Sequence, residues 1–291
     1  MRLLAAVEYL PLVSKCPHTR GEGMTRMHPH HRLLAVVVAA ALALLALASV
    51  AAGQAPFYPL PTTDPSCPTA ENTIYGTDSD DVRAGTPLND VMFGGEGDDV
   101  FNGDAGDDCL IMGLGNDRAS GDAGNDRLIG EGGADRLTGD EGADRLSGQD
   151  GNDRLIGGAG NDRLTGGVDD DAIRAGRGRD RGSGGSGDDL VSMAAGVDKG
   201  SGGPGDDEVF GGSQNDRVSG GSGADAVGGG AGRDRVAGNA GSDRLNGGTG
   251  RDRILARDGT RDRVNCGGGR DVAVVDDADV VADNCEIVRV G

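Results

Sequence analysis

From Gly76 to Leu255 the chain repeats a nine-residue unit twenty times with no insertion or deletion. The stretch GNDRLIGGAGNDRLTGG, Gly151 to Gly167, shows two turns of the pattern. Position six is Asp in all twenty units, position one is Gly in seventeen, position four is Gly in sixteen, and position eight is apolar in seventeen. A unit this short cannot enclose a core. It is stable only by stacking on its neighbours, so the repeat requires a solenoid.

Each position has a physical role. Glycines at positions one, two and four permit tight turns and close backbone approach. Residues seven to nine form a short strand, and alternation sends position eight to one face and positions seven and nine to the other. Two successive units then make one coil with a strand on either side. Twenty units give ten coils, a roll of roughly 48 Å at about 4.8 Å per stacked strand. Composition agrees with a narrow aliphatic core: 56 residues are Gly, none is Trp, and aromatics are 2%. Without the period, this composition would indicate disorder.

An Asp in every unit brings carboxylates into register, and their repulsion requires a positive charge between the turns. Ca²⁺ suits such a site, because it takes six to eight oxygens from carboxylates and backbone carbonyls in flexible geometry. The formal net charge of −20 argues for cations and against nucleic acid as partners. Position seven is Arg in eleven units, for example Arg127, Arg136, Arg145, Arg154 and Arg163. The plain reading is a solvated outer face that offsets the acidic turns; the alternative is a ladder for an anionic polymer. No Thr ladder occupies position nine, which argues against an ice-binding surface.

The segment GGAGNDRLT, Gly157 to Thr165, fits the pattern G-G-x-G-x-D-x-U-x with U aliphatic at every position, as do GGPGDDEVF and GGTGRDRIL, and GGEGDDVFN matches with the apolar Phe101 at U. In this the chain resembles the repeats-in-toxin (hemolysin-type) calcium-binding proteins, over about 180 of its 291 residues. The resemblance implies a parallel β-roll that folds when Ca²⁺ binds in two rows between stacked turns. It also implies the ligands: turn carbonyls with the position-six carboxylates of Asp81, Asp90, Asp99, Asp108, Asp117, Asp126, Asp135, Asp144, Asp153, Asp162, Asp171, Asp180, Asp189, Asp198, Asp207, Asp216, Asp225, Asp234, Asp243 and Asp252. Pairing each unit with the next but one allows at most 18 such sites. Two departures stand out. Many relatives carry a C-terminal export signal and a catalytic or pore-forming domain ahead of the repeats. Here an N-terminal signal is expected, and only Pro56 to Tyr75 lies between it and the repeats.

That signal rests on Leu33 to Val50, eighteen residues without charge, preceded by Arg26 and Arg32 and followed by AAGQA. Basic start, apolar middle and small-residue end read as a secretory signal peptide over residues 1–52, cleaved after Ala51 or Ala52. An uncleaved membrane anchor is the alternative. Residues 1–23 read as an over-extended start. All four histidines (His18, His28, His30 and His31) lie ahead of the cleavage point, so a mature chain would hold no catalytic His and no HExxH zinc site. The scarcity of Lys beside Arg suggests a GC-rich bacterial genome.

Residues 53–75 read as a Pro-rich extended lead-in. After Leu255 the frame slips by one residue, and the Val-rich stretch 256–291 reads as a β cap over the last coil. Four cysteines remain after cleavage, an even number in an exported chain, and suggest disulfides Cys67–Cys109 and Cys266–Cys285, with free thiols as the alternative.

The chain is thus expected to be an all-β, parallel β-roll of nonapeptide repeats: a secreted or cell-surface calcium-binding protein with several Ca²⁺ ions, no enzyme activity and no membrane span once the signal is removed. A calcium-stiffened scaffold that adheres to a cell-surface polymer is the main alternative, and the repeat tail of a hydrolase or toxin a lesser one. A thin seam is expected between about Gly166 and Ser201, where position eight becomes Gly182 and Gly200 and position one becomes Ala175 and Met193.

Overall fold

A computed structural model describes residue 67 and residues 70–291. The expected signal peptide, the histidine cluster, the start assignment and most of the lead-in lie outside the described residues.

Strand and turn alternate as the nine-residue period requires, and no helix occurs among the described residues. The strands build two sheets of 13 strands each, and every pairing between strands is parallel. Even-numbered units supply one sheet, here sheet 1, with strands such as Arg127–Gly132, Arg145–Asp150 and Arg163–Val168. Odd-numbered units supply the other, sheet 2, with strands such as Arg136–Glu141 and Arg154–Ala159. The register is eighteen residues per coil: Leu155 lies opposite Ile173, and Leu164 opposite Gly182. Consecutive units therefore face each other across the core, and alternate units stack.

All seventeen apolar position-eight side chains are buried in one continuous core. The one charged exception, Arg83, lies at the N-terminal edge of sheet 2 and pairs with Asp81 at 2.6 Å. Positions seven and nine point out, as alternation demands. On the outer face of sheet 1 the ring of Tyr75, just ahead of the first unit and in register with position-nine Phe93, stacks on that ring with centroids 5.4 Å apart.

The stack is longer than the ten coils expected from the uninterrupted frame. Asn72–Tyr75 adds a strand in front, paired with residues 90–93. Behind Leu255, Arg263–Asn265 and Val272–Val275 pair in parallel with the strands before them, and Val280–Val281 and Ile287–Val290 add one more level. A column 13 strands deep is about 58 Å long at the parallel-strand spacing. The one-residue slip after Leu255 is absorbed in a turn, so strand pairing continues with a step of nineteen between Arg244 and Arg263.

Both expected disulfides are present, Cys67–Cys109 and Cys266–Cys285, with Cα atoms 5.7 and 5.1 Å apart. Cys109 sits at position seven on the outside of sheet 1, so Cys67 is pinned to that face. Loop closure of this size stabilises by about 3–4 kcal/mol per bridge. Peptide mapping without reductant should recover these two linked pairs; free thiols in the purified protein would contradict the arrangement.

The seam expected at Gly182 and Gly200 is not a void. The core side chain comes instead from position one of the opposite sheet. A Cβ built on Gly182 would stand 3.0 Å from Met193 Sδ, and one on Gly200 would stand 3.1 Å from Met193 Cγ. Met193 is fully buried, with Val191 and Val209 beside it. One long flexible side chain thus serves two rungs that lack their own, a role suited to methionine. What remains of the seam is in the pairing: Arg181–Ser186 meets Lys199–Pro204 over three residue pairs, against five on either side. Met193→Ala should therefore destabilise the calcium-loaded protein by about 2–4 kcal/mol, as for other large-to-small core changes. Denaturant unfolding measures this, and a loss under about 1 kcal/mol would show that Met193 does not fill the core.

Candidate metal-binding ladder

The turn preceding each strand ends on the position-six Asp. All twenty of these side chains are buried, with relative exposures of 0–9%. The strand that follows fixes each Asp at the inner end of its turn, and from Asp99 onward the backbone N–H of the Asp one coil earlier donates to its Oδ1, whereas Asp90 Oδ1 accepts from the Asn72 side-chain amide. Asp81 N–H donates to Asp99 Oδ1 at 2.8 Å, Asp135 to Asp153 at 2.8 Å, and Asp234 to Asp252 at 2.9 Å. Two rows result, one along each edge of the roll, every rung reaching back eighteen residues.

The second oxygen is the informative one. In eighteen of the twenty residues, Asp99 through Asp252, Oδ2 is buried and has no hydrogen-bond partner. Buried acceptors are almost always satisfied, and leaving one unmade is costly. Asp81 and Asp90 differ. Their Oδ2 atoms accept hydrogen bonds from the backbone and hydroxyl groups of Thr77 and Thr86. Thr at position two, where many units have Gly, supplies the hydroxyl donor.

Around fifteen of these eighteen oxygens a position-one glycine leaves room; Met112, Ala175 and Met193 stand there in the units of Asp117, Asp180 and Asp198. A Cβ on Gly211 would stand 2.5 Å from the carbonyl oxygen of Gly229, one coil on, and 2.8 Å from Asp216 Oδ2. A carboxylate oxygen and a carbonyl oxygen thus converge on the space a methyl group would take, with no donor between them. The position-two and position-four glycines serve the turn itself. Gly158 and Gly160 have φ of +115° and +148°, which L residues rarely adopt. Where a side chain replaces glycine at position one, the carbonyl remains: that of Ala175 faces Gly157 as Gly229's faces Gly211.

These donors fit a hard cation. Backbone carbonyls are neutral oxygen ligands, the carboxylate supplies charge, and Ca²⁺ accepts such mixtures in irregular geometry. Among the described residues no three acidic, Cys or His side chains gather at one point, so charge is spread along the ladder, not concentrated in a cage. That arrangement is unsuited to zinc, which takes four N, S or carboxylate ligands.

Metal-free, the ladder holds its protons tightly. Burial pushes the carboxyls of Asp126, Asp162, Asp216 and Asp243 up to about 7, and those of Asp108, Asp153 and Asp198 up to about 6. Neighbouring carboxylates add to the shift, as Asp144 does for Asp126. At the N-terminal end the Thr77 hydrogen bond keeps Asp81 below its ordinary value.

Two rungs escaped the sequence reading. Asp262 and Asp271 are fully buried, carry an orphaned Oδ2, and accept from the backbone N–H groups of Asp243 and Asp252, each at 2.8 Å. The one-residue slip hides them from a fixed frame, although Asp262-Arg263-Val264 keeps the Asp-x-aliphatic core of the unit. The rows end where Asp279 and Glu286 take the ladder's place, accepting from Asp262 and Asp271 at 3.0 and 2.9 Å.

A second ladder, on the exposed side of the same turns, was also missed. Position-five Asp or Asn side chains accept from the backbone one coil later: Asp98 from Asn116 at 2.8 Å, and Asp188 from Asp206 at 2.8 Å. It runs opposite in sense to the buried rows, so each turn is tied in both directions. The signal was present, since position five is Asp or Asn in twelve of the twenty units.

The profile of the RTX calcium-binding nonapeptide repeat, four copies long, matches residues 84–119, 113–146, 120–155, 147–182, 156–191, 194–227, 201–236, 228–261 and 237–273. No curated protein matches the chain. Together these spans run from 84 to 273, well over half of the 291 residues, and carry every buried Asp of the two rows except Asp81. A calcium-binding repeat profile over a parallel roll with inward-facing carboxylates leads to one assignment: the chain belongs to the RTX calcium-binding nonapeptide repeat family.

Proposed function

We propose that this is a secreted, non-enzymatic protein whose roll folds and stiffens on binding a row of Ca²⁺ ions along each edge. One observation carries the reading: twenty buried carboxylate oxygens, from Asp99 to Asp271, with no donor to satisfy them. The position-six Asp side chains, with turn carbonyls such as those of Ala175 and Gly229, would hold the metal, and bound Ca²⁺ would supply the positive charge that the buried oxygens lack. Asp81 and Asp90 are the weakest candidates, because Thr77 and Thr86 already occupy their Oδ2 atoms. Secretion rests on the leader-like N-terminus and on the disulfides, which persist in oxidising compartments. A non-enzymatic role rests on the absence of His downstream of residue 31.

Charge sets the scale of binding. From Gly53 onward the chain carries 46 Asp and Glu against 23 Lys and Arg. About a dozen divalent ions would neutralise the difference, so occupancy of that order is expected. Equilibrium dialysis at millimolar calcium tests this. One or two bound ions per chain would refute the ladder.

A further inference from the structure

The arginines that the sequence scatters over position seven are sorted by the fold. Because alternate units stack, one vertical column of sheet 1 reads Arg145, Arg163, Arg181, Lys199, Arg217, Arg235 and Arg253, each directly opposite the next. All seven are exposed, and among the described residues none has a carboxylate partner. Two positions along, Ser147, Thr165, Ser183, Ser201 and Ser219 form a parallel column of hydroxyls. Between them runs a shallow groove past Gly182 and Gly200. The matching column of sheet 2 is broken after Arg154 by Ala172, Leu190, Glu208 and Ala226.

Like charges in directly opposed cross-strand positions are unfavourable. Here seven exposed cations occur in succession, with Arg127 directly opposite the first of them, in a chain whose 48 acidic residues put none into this column. A rigid line of cations spaced about 4.8 Å apart, edged with hydroxyls, matches a linear polyanion of modest charge density. We infer that the outer face of sheet 1 between Arg145 and Arg253 binds a linear acidic polysaccharide, a chain of sugars bearing carboxylates at regular intervals, laid along the roll axis. Guanidinium groups take carboxylates in bidentate pairs, and the Ser and Thr hydroxyls meet sugar hydroxyls. Nucleic acid fits less well. Single strands are held largely by aromatic stacking, and this stretch of the face has no aromatic residue. Duplex DNA carries one charge per about 1.7 Å, far denser than the ladder, and meets a net-negative protein. The inference rests on the calcium-roll reading above and needs the calcium-loaded roll.

The test uses the calcium-loaded chain and hyaluronan, a linear polysaccharide with one carboxylate per disaccharide, titrated calorimetrically at about 50 and 200 mM salt. Binding should weaken about ten-fold over that range. The triple variant Arg163→Ser, Arg181→Ser, Arg217→Ser should lose at least about ten-fold in affinity, while Arg118→Ser, Arg136→Ser, Arg154→Ser on sheet 2 should change less than about three-fold. In the unmodified protein, bound hyaluronan should shield Arg163, Arg181 and Arg217 from an arginine-specific dicarbonyl but leave Arg136 and Arg154 reactive, a readout independent of how the variants fold. Circular dichroism with and without calcium runs alongside. A normal calcium response with no hyaluronan binding, equal losses in both variants, shielding on sheet 2 alone, or tighter binding of oligothymidylate than of hyaluronan would each overturn the proposal. An absent calcium response would instead count against the metal-dependent roll itself.

Discussion

At neutral pH in excess chelator the protein should lose its β-sheet circular dichroism, and millimolar Ca²⁺ should restore it. The expected change is all or none across the roll. Twenty buried carboxylate oxygens lack a partner. At about 1–3 kcal/mol for each unsatisfied buried group, and more when charged, their sum reaches tens of kcal/mol. A domain of ordinary stability has about 5–15 kcal/mol in hand. The charged ladder therefore exceeds what an aliphatic core one residue wide offsets, and metal binding free energy becomes folding free energy. Near-neighbour coupling in a solenoid spreads the loss from rung to rung. A chelator-insensitive spectrum at pH 7 would sink the reading that calcium holds the fold.

Acid should partly replace calcium. In the metal-free roll, burial raises the carboxyls of Asp126, Asp162 and Asp243 to about 7 and those of Asp117 and Asp252 to about 6, whereas an unfolded Asp titrates near 3.9. The folded state thus binds protons more tightly than the unfolded state, and stability rises as pH falls. The penalty is fully present above about 7, shrinks as each folded carboxyl takes up its proton, and is gone below about 4. This is the reverse of ordinary acid denaturation, where carboxylates paired in the native state are lost on protonation. In chelator, lowering the pH from 8 toward 4.5 should raise the β-sheet signal along a broad curve, because many rungs titrate over a range. With calcium present the same protons compete with the metal, so the calcium midpoint should move to higher concentration as pH falls. A chelated sample that stays unfolded throughout this window would show that burial of these carboxyls is not what opposes the apo fold.

The period of nine was enough to specify much of this molecule. A constant Asp beside an alternating triplet fixed which residues turn, which form strand and which face inward. All seventeen apolar position-eight residues lie in the core as that alternation requires. Eighteen of the twenty position-six Asp residues present an orphaned oxygen, and the four cysteines pair as their positions suggested. Apart from the disulfides, these features are local, set by φ, ψ and side-chain direction within one unit, so they repeat wherever the unit repeats.

The tertiary structure decided what depends on neighbours eighteen residues away or on the opposite wall. Met193 fills the space at Gly182 and Gly200 because an inward side chain from one sheet reaches two rungs of the other, which no count along a single position reveals. Asp262 and Asp271 join the rows because strand pairing tolerates an extra residue in a turn, whereas a fixed frame does not. Thr77 and Thr86 set Asp81 and Asp90 apart through contacts that the shared Asp conceals. The arginines divide into an unbroken column and a broken one only when coils are stacked, since a sheet brings alternate units together while the sequence brings consecutive ones. Composition and period are one-dimensional; core filling, charge columns and ladder ends belong to the second dimension that stacking creates.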